Sequence, residues 1–308
     1  MTLPLLDAAA LDAARVPPLR AIAAIEAALA AAARGAAQQP HPPALRPAGG
    51  GFFQPLLAAL PQDDVACVNW LTYHPGNPAR GLPHSGGLLI LSAFATGTPL
   101  CVMDGIWISH RRTGYVAALA AKYLAGAAGD VALIGAGAIA MFAVEALAAL
   151  GLLRGELRVA SRTPEGAARF CAEAAARLGV RARAVAEARA AVEGARLVVT
   201  ATSHEGPPFL ERAWLADGAL VVLIDRLRVV TPDVLASAAR IVTTSRDSLA
   251  GWGFSAEHRV QLLQEIIAGG RPSPVAPGTV TLCDAAGVAV ADLAFAALVW
   301  RELQAARA

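Results

Sequence analysis

The chain has 308 residues, 56% hydrophobic and 16% charged, with a formal net charge of +2. That length allows one large domain or two ordinary ones with a sizeable core, and the near-balanced charge excludes bulk electrostatic attraction to nucleic acid. Twenty-five arginines accompany a single lysine, Lys122, so lysine-dependent chemistry has one candidate residue.

Residues 1–40 read as two alanine-rich helices closed by the breaker QQPHPP. From 41 to about 104 the pattern shifts to short β-like runs, DVACVNWLTY, GGLLILSAF and TPLCVMDG, divided by Gly, Pro and Asn turns. The stretch 66–87, ACVNWLTYHPGNPARGLPHSGG, is unlike its surroundings, crowding two histidines, a tryptophan and a tyrosine together. A helix is predicted at 107–126. From 130 strands and helices alternate as βαβ units. Strand DVALIG leads to helix 138–150, and strand ELRVASR to helix 164–178. A strand near 180–184, a short helix at 186–194 and strands ARLVVTAT, GALVVLID and ARIVTTS follow. The last part has a short strand, TVTLCD, and a helix with an apolar face, AGVAVADLAFAALVWRELQAA.

The four cysteines, Cys67, Cys101, Cys171 and Cys283, show no metal-like pairing, so no metal site is expected and they read as reduced core residues. Residues 1–25 lack the charged and apolar regions of a signal peptide. Mean hydropathy is +0.50, and the stretch 131–153 is long enough to cross a bilayer. It contains Glu145 and a glycine cluster and opens as a strand, so no membrane span is expected. The expectation is a cytoplasmic protein.

The run VALIGAGAIA places Gly135, Gly137 and Ala140 as G-x-G-x-x-A between a strand and a helix. In that context the first glycine makes the turn and the second admits a pyrophosphate. The third small residue lets the helix close on the strand. Gly135, Gly137, Ala138, Ile139 and Ala140 are therefore candidate cofactor-binding residues, with bare helix amides for the anion. The alternative is a small-residue packing turn. The next strand ends in Ser161, Arg162 and Thr163, not in the acidic residue usual for NAD. An arginine and two hydroxyls suit a 2′-phosphate, which favours NADP(H) over NAD(H). The alternative there is a solvated loop arginine. Ala201, Thr202 and Ser203 follow the fourth strand, where the chain passes beside a cofactor. Asp225 ends a further strand, at the ligand-binding edge of such sheets. By position alone it is equally a cap or turn residue.

These features together resemble the ornithine cyclodeaminase/mu-crystallin family. The resemblance is collinear over nearly the whole chain and rests on HPGNPARGLP, ISHRRTGYVAALAAKYLA, ALIGAGAIAMFAVEALAAL, VASRT, VVTATS and TVTLCDAAGVAVADLA. The phrase NWLTYHPGN is similar to the branch that oxidises N-(2-amino-2-carboxyethyl)-glutamate. The resemblance implies an α/β fold: a Rossmann doubly wound parallel sheet plus a sheet-based substrate and dimerisation domain. The boundaries would be 1–110 with 280–308 for the substrate domain and 111–279 for the dinucleotide domain. It also implies a homodimer and hydride transfer between nicotinamide and a carbon bonded to nitrogen.

By that resemblance Arg46 and Arg112 bind the substrate carboxylate, Thr113 meets the cofactor phosphates, and Asp225 holds the substrate nitrogen and manages its proton. Two guanidiniums clamping a carboxylate, with a carboxylate beside an iminium, is coherent chemistry. The chain also departs from the family. The family lysine before the His-Pro turn falls on Asn69, which hydrogen-bonds but carries no charge. His84 stands where relatives have Thr or Ser, as a replacement acid/base or substrate contact, or as a plain loop histidine. The segment RLRVVTPD lacks the usual Pro-Gly-Lys, and the region beyond 250 is shorter than usual. His110 faces either the site or a helix surface, and His74 and Asn77 are read as turn-forming. The expected function is an NADP(H)-dependent oxidoreductase acting on a C–N bond of a small carboxylated amine or imine. The alternatives are an ornithine-cyclodeaminase-like ammonia-lyase and a mu-crystallin-type cofactor-binding protein with little catalysis. No nucleic-acid or membrane partner is expected.

Overall fold

The computed structural model describes residues 3–48, 50–125, 129–249, 259–285 and 287–306. In chain order the first part runs β1 (Leu5–Leu6), α1 (Ala8–Asp12), α2 (Pro18–Ala33), β2 (Phe52–Leu60), β3 (Val65–Tyr73), β4 (Ser85–Ala93) and β5 (Pro99–Asp104), then α3 (Gly105–Leu124). Next come β6 (Val131–Ile134), α4 (Ala138–Ala149), β7 (Leu157–Ala160), α5 (Pro164–Leu178), β8 (Ala182–Ala184), α6 (Ala188–Val192), β9 (Leu197–Thr200) and β10 (Ala219–Leu223). The last are α7 (Pro232–Ser237), β11 (Ala238–Thr243), β12 (Arg259–Leu262), α8 (Leu263–Ala268), β13 (Val280–Asp284) and α9 (Ala289–Ala305). The chain divides into two compact units, Met1–Arg112 with Val288–Ala308, and Thr113–Gly287.

The first unit is built on a sheet in the order β1-β5-β4-β3-β2, antiparallel from β5 to β2. Alternation assigns its faces. Leu56, Cys67, Asn69, Leu89, Leu91 and Met103 are buried, whereas Leu57, Trp70, Leu88 and Ile90 are exposed. α9 packs on β2 and β3 and against α2. α2 turns Ile22, Ile25 and Leu29 inward at helical spacing, and Pro17 and Pro18 start it where no amide partner is lost. Each such aliphatic side chain buried contributes roughly 1.5–3 kcal/mol. β2 was not among the predicted strands. Its Pro55 is tolerated because β2 is an edge strand, and among the described residues the outer edge pairs only at the Leu45–Phe53 and Gln38–Ala59 bridges.

Among its described residues the second unit has eight strands, all parallel, in the order β12-β11-β13-β10-β9-β6-β7-β8. The β6, β9, β10 and β13 strands are buried throughout, which suits a parallel sheet with both faces covered. Val198, Val221, Leu223, Ile241 and Leu282 belong to one core cluster with Val192, Leu210 and Val234. The order reverses between β6 and β9, the position at which doubly wound sheets bind ligands.

One expectation needs correction. The strand Val280–Asp284 pairs with β10 on one side and β11 on the other, so it belongs to the second unit and the boundary falls after Gly287, not after 279. A short apolar strand carries no label of its sheet; its partners decide. The strand β12 and helix α8 were also unforeseen. The expectation of a shortened region beyond 250 concerns residues outside those described. No helix among the described residues is long and apolar enough to cross a membrane.

Candidate functional site

In the second unit the glycine-rich turn follows β6 directly. Gly135 has φ +107°, and a Cβ there would lie 2.2 Å from the Ala201 carbonyl oxygen. Its amide donates to the Ala160 carbonyl at 2.8 Å, and the Ala201 amide donates to the Ile134 carbonyl at 2.8 Å. The turn is therefore clamped between β7 and β9, and only glycine fits. Gly137 is the residue before α4 and makes no side-chain cap, while Gly137 and Ala138 are exposed and Gly135 and Ala140 are buried. The motif splits its labour accordingly: two residues pack, and two leave uncapped helix amides open to an anion. Ile139 is half-buried. On the α3 side, a Cβ on Gly114 would fall 2.5 Å from the Ala143 amide nitrogen, so α3 and α4 touch closely just beyond the buried Thr113.

At the end of β7, Ser161 Oγ donates to the Thr163 carbonyl at 2.7 Å, and Thr163 Oγ1 accepts the Gly166 amide at 3.2 Å, capping α5. Arg162 is exposed and has no ion-pair partner among the described residues. The turn thus presents a free guanidinium beside two hydroxyls.

Asp225 lies two residues beyond β10. Thr200 Oγ1 donates to its Oδ1 at 2.6 Å, and the Thr202 amide donates to its Oδ2 at 3.1 Å. It precedes a 3-10 turn, Arg226–Val229, without capping it through its side chain. The carboxylate instead ties its own strand end to the Thr200–Ser203 segment at the end of β9. Burial pushes its pKa up to about 6, against the two donated hydrogen bonds. A carboxyl group so poised gives and takes a proton near neutral pH.

In the first unit Asn69 and Arg112 meet an acid that sequence reasoning missed, Asp292 on α9. Asn69 Nδ2 donates to Asp292 Oδ1 at 3.0 Å, and Arg112 Nε pairs with the same oxygen at 3.0 Å. Arg112 Nη2 donates to Ser109 Oγ at 3.2 Å. All three of Asn69, Arg112 and Asp292 are buried, at 0%, 3% and 0% exposure. Asn69 sits against the first residue of α3: a Cβ on Gly105 would lie 2.4 Å from its Oδ1. A signal for Asp292 was present in the sequence, since it is the one charged residue between Asp284 and Arg301. Burial pushes its pKa up while Arg112 and Asn69 pull it down.

Arg46 is exposed, one residue past the Leu45–Phe53 bridge, and has no ion-pair partner among the described residues. His84 is exposed, its ring stacked on Tyr73 at 5.8 Å, and Tyr73 stacks in turn on Phe52 at 5.9 Å. The His74 amide donates to the His84 carbonyl at 2.8 Å, and Asn77 Nδ2 donates to the Pro83 carbonyl at 2.9 Å, so His74 and Asn77 close the turn. His110 is half-buried, and burial holds its pKa below the usual range despite Asp104. Lys122 lies in the last turn of α3, its Nζ over the Tyr123 ring at 5.3 Å. The four cysteines are free and buried. Among the described residues no group of three or more His, Cys, Asp or Glu side chains is arranged to hold a metal ion.

A family model described as the ornithine cyclodeaminase/mu-crystallin family matches residues 12–307. An alanine dehydrogenase of Archaeoglobus fulgidus is 29% identical over 297 residues, which covers 91% of this chain and 89% of that protein. The ketimine reductase mu-crystallin of Rattus norvegicus is 28% identical over 263 residues, covering 81% of this chain and 80% of that protein. Among solved structures, an archaeal alanine dehydrogenase dimer with bound NAD matches with a TM-score of 0.88 at 26% identity, covering 100% of this chain and 98% of that one.

Proposed function

This chain belongs to the ornithine cyclodeaminase/mu-crystallin family, and from that premise we propose that it is an NADP(H)-dependent oxidoreductase acting on the C–N bond of a small carboxylated substrate, as an imine reductase or amino-acid dehydrogenase. The observation that carries the reading is Asp225, anchored by Thr200 and Thr202 at the ligand edge of the parallel sheet with its pKa near 6. The names alanine dehydrogenase and ketimine reductase, borne by its relatives, support the same reaction class.

Bound at the Gly135–Ala140 turn, a nicotinamide dinucleotide supplies the hydride. The turn fits it: the exposed Gly137 has nothing within 4 Å of its missing Cβ, and α4 begins without a side-chain cap. In this proposal the amides of Gly137, Ala138 and Ile139 hold the pyrophosphate, with Thr113 beside the phosphates. Ala201, Thr202 and Ser203 line the cofactor at the end of β9. Ser161, Arg162 and Thr163 take a 2′-phosphate, which is the case for NADP(H) over NAD(H). Arg46 and Arg112 take the substrate carboxylate, Asn69 hydrogen-bonds in place of the family lysine, and His84 contacts the substrate or serves as a second acid/base. Asp225 delivers or removes the proton at nitrogen as carbon gains or loses hydride.

The test is NADPH oxidation across a panel of cyclic imino acids and of keto acids with amines. Turnover is expected with NADPH in preference to NADH, and Arg162→Ala should raise the NADPH Kd by about tenfold or more, given charge-assisted bonds to phosphate, while leaving NADH unchanged. Tight NADPH binding without turnover on any panel member sinks the reading.

We also propose a homodimer formed through the outer face of the first unit's sheet. Leu57, Val68 and Ile90 lie side by side across β2, β3 and β4, as do Pro55, Trp70 and Leu88. Trp70 and Leu88 are 41% and 52% exposed, an apolar patch of the kind that marks an interaction surface. Sedimentation should give twice the chain mass for the native protein and the chain mass for Trp70→Glu; a native monomer refutes this assembly. The free, buried cysteines fit a reducing compartment, and we infer a cytoplasmic location.

A further inference from the structure

We propose that Asp292 governs carboxylate recognition in this protein, pairing with the Arg112 guanidinium at Nε while cancelling its charge. The inference rests on the reading of the protein as an enzyme of carboxylated imines or amines. Arg112 Nη2 donates to Ser109 Oγ, and Nε forms an ion pair with Asp292 Oδ1 at 3.0 Å without the alignment of a hydrogen bond. Nη1 and Nε are both buried with no hydrogen-bond partner. A buried guanidinium donor left unpaired is costly, and its natural guest is a carboxylate oxygen, for which the planar fork is shaped.

The charge balance makes the case specific to this chain. Arg112 and Asp292 sum to zero, and Asn69 adds hydrogen bonding without charge. Asn69 is oriented by the same acid: a carboxylate oxygen accepts only from its amide nitrogen, so Oδ1 is turned away from Asp292 Oδ1 and is left without a partner. The cluster therefore offers an arriving carboxylate a well-aimed donor in a neutral setting. Asp292 sets the aim and also limits the attraction. It is a positioning residue, acting on substrate through Arg112.

The two effects separate by substitution. Asp292→Asn keeps an acceptor oxygen for Arg112 and Asn69 but removes the opposing charge. Asp292→Leu removes both. The expected result is opposite signs: KM for a turned-over imino acid falls several-fold in the Asn variant. In the Leu variant it rises by about tenfold to a hundredfold, the scale of a hydrogen bond to a charged group. In both, kcat stays within a few-fold, and NADPH affinity, which belongs to the second unit, is unchanged. A purely structural role lowers Tm in both variants and leaves KM alone, which overturns the proposal. Should the Leu variant not fold, the Asn variant decides: an unchanged or raised KM overturns the proposal, and a lowered one sustains it. If the native enzyme turns over no carboxylated imine, the functional reading falls and takes this inference with it. If the native enzyme turns over but KM does not respond to Asp292, only the inference falls.

Discussion

Asp225→Asn is expected to lower kcat by about two to four orders of magnitude, the range for losing a general acid/base, with NADPH affinity retained. Asparagine keeps an oxygen for the Thr200 hydroxyl and the Thr202 amide, so the strand ends stay tied while the proton is lost. The native pH profile follows from a pKa raised to about 6. Reduction of the imine consumes a proton and should fall as pH rises through about 6. Oxidation of the amine releases one and should rise through the same value. The stability consequence has the opposite sense to a salt-bridged acid. The folded state binds the Asp225 proton more tightly than the unfolded chain does, so stability declines between about pH 4 and pH 6 as pH rises. Above that window the ionised, part-buried carboxylate costs at most about 3 kcal/mol. Asp225→Asn should therefore be more stable than the native protein at pH 7.5 and equal to it below pH 4, by urea unfolding. A variant with full activity, or one destabilised at pH 7.5, contradicts the role assigned here.

Gly135→Ala should be the most damaging conservative change in the cofactor-binding unit. Its Cβ would face two penalties, a φ of +107° and the Ala201 carbonyl at 2.2 Å. The backbone has no room to retreat, because the amides of Gly135 and Ala201 both donate across the sheet at 2.8 Å. Strain with a forced backbone shift costs about 3 kcal/mol or more, and cofactor affinity should fall with it. Gly137→Ala is the contrast. Nothing lies within 4 Å of its added Cβ, so urea unfolding should be nearly unchanged while NADPH titration shows weaker binding. Equal loss of stability in both variants would contradict this division between a packing glycine and a ligand-facing one.

Much of the second unit was legible in the sequence because its signals are local. The helix over 164–178 matches α5 because Thr163 caps it, Pro164 occupies its first turn and Gly179 ends it with a positive φ. The strand–turn–helix around Gly135 was read from spacing alone, since each glycine answers to backbone within a few residues or to the next strand. β2 was not read, because Pro55 breaks a strand pattern everywhere except on an edge, and an edge is a property of the sheet. The placement of Val280–Asp284 failed for the same reason.

By itself the sequence determined most of the helices and parallel strands of the second unit and the glycine turn after β6, but not β2, β12, α8 or the part played by Asp292. Period, caps and turn glycines act over a few residues, so they survive without tertiary context. Only the tertiary structure decided what the buried polar atoms face. Asn69 meets Asp292 across 223 residues of chain, and Asp225 meets Thr200 across 25. A buried polar group must find a partner, but its own sequence neighbourhood does not say which one. That choice set Arg112 beside Asp292 and Asp225 beside Thr200.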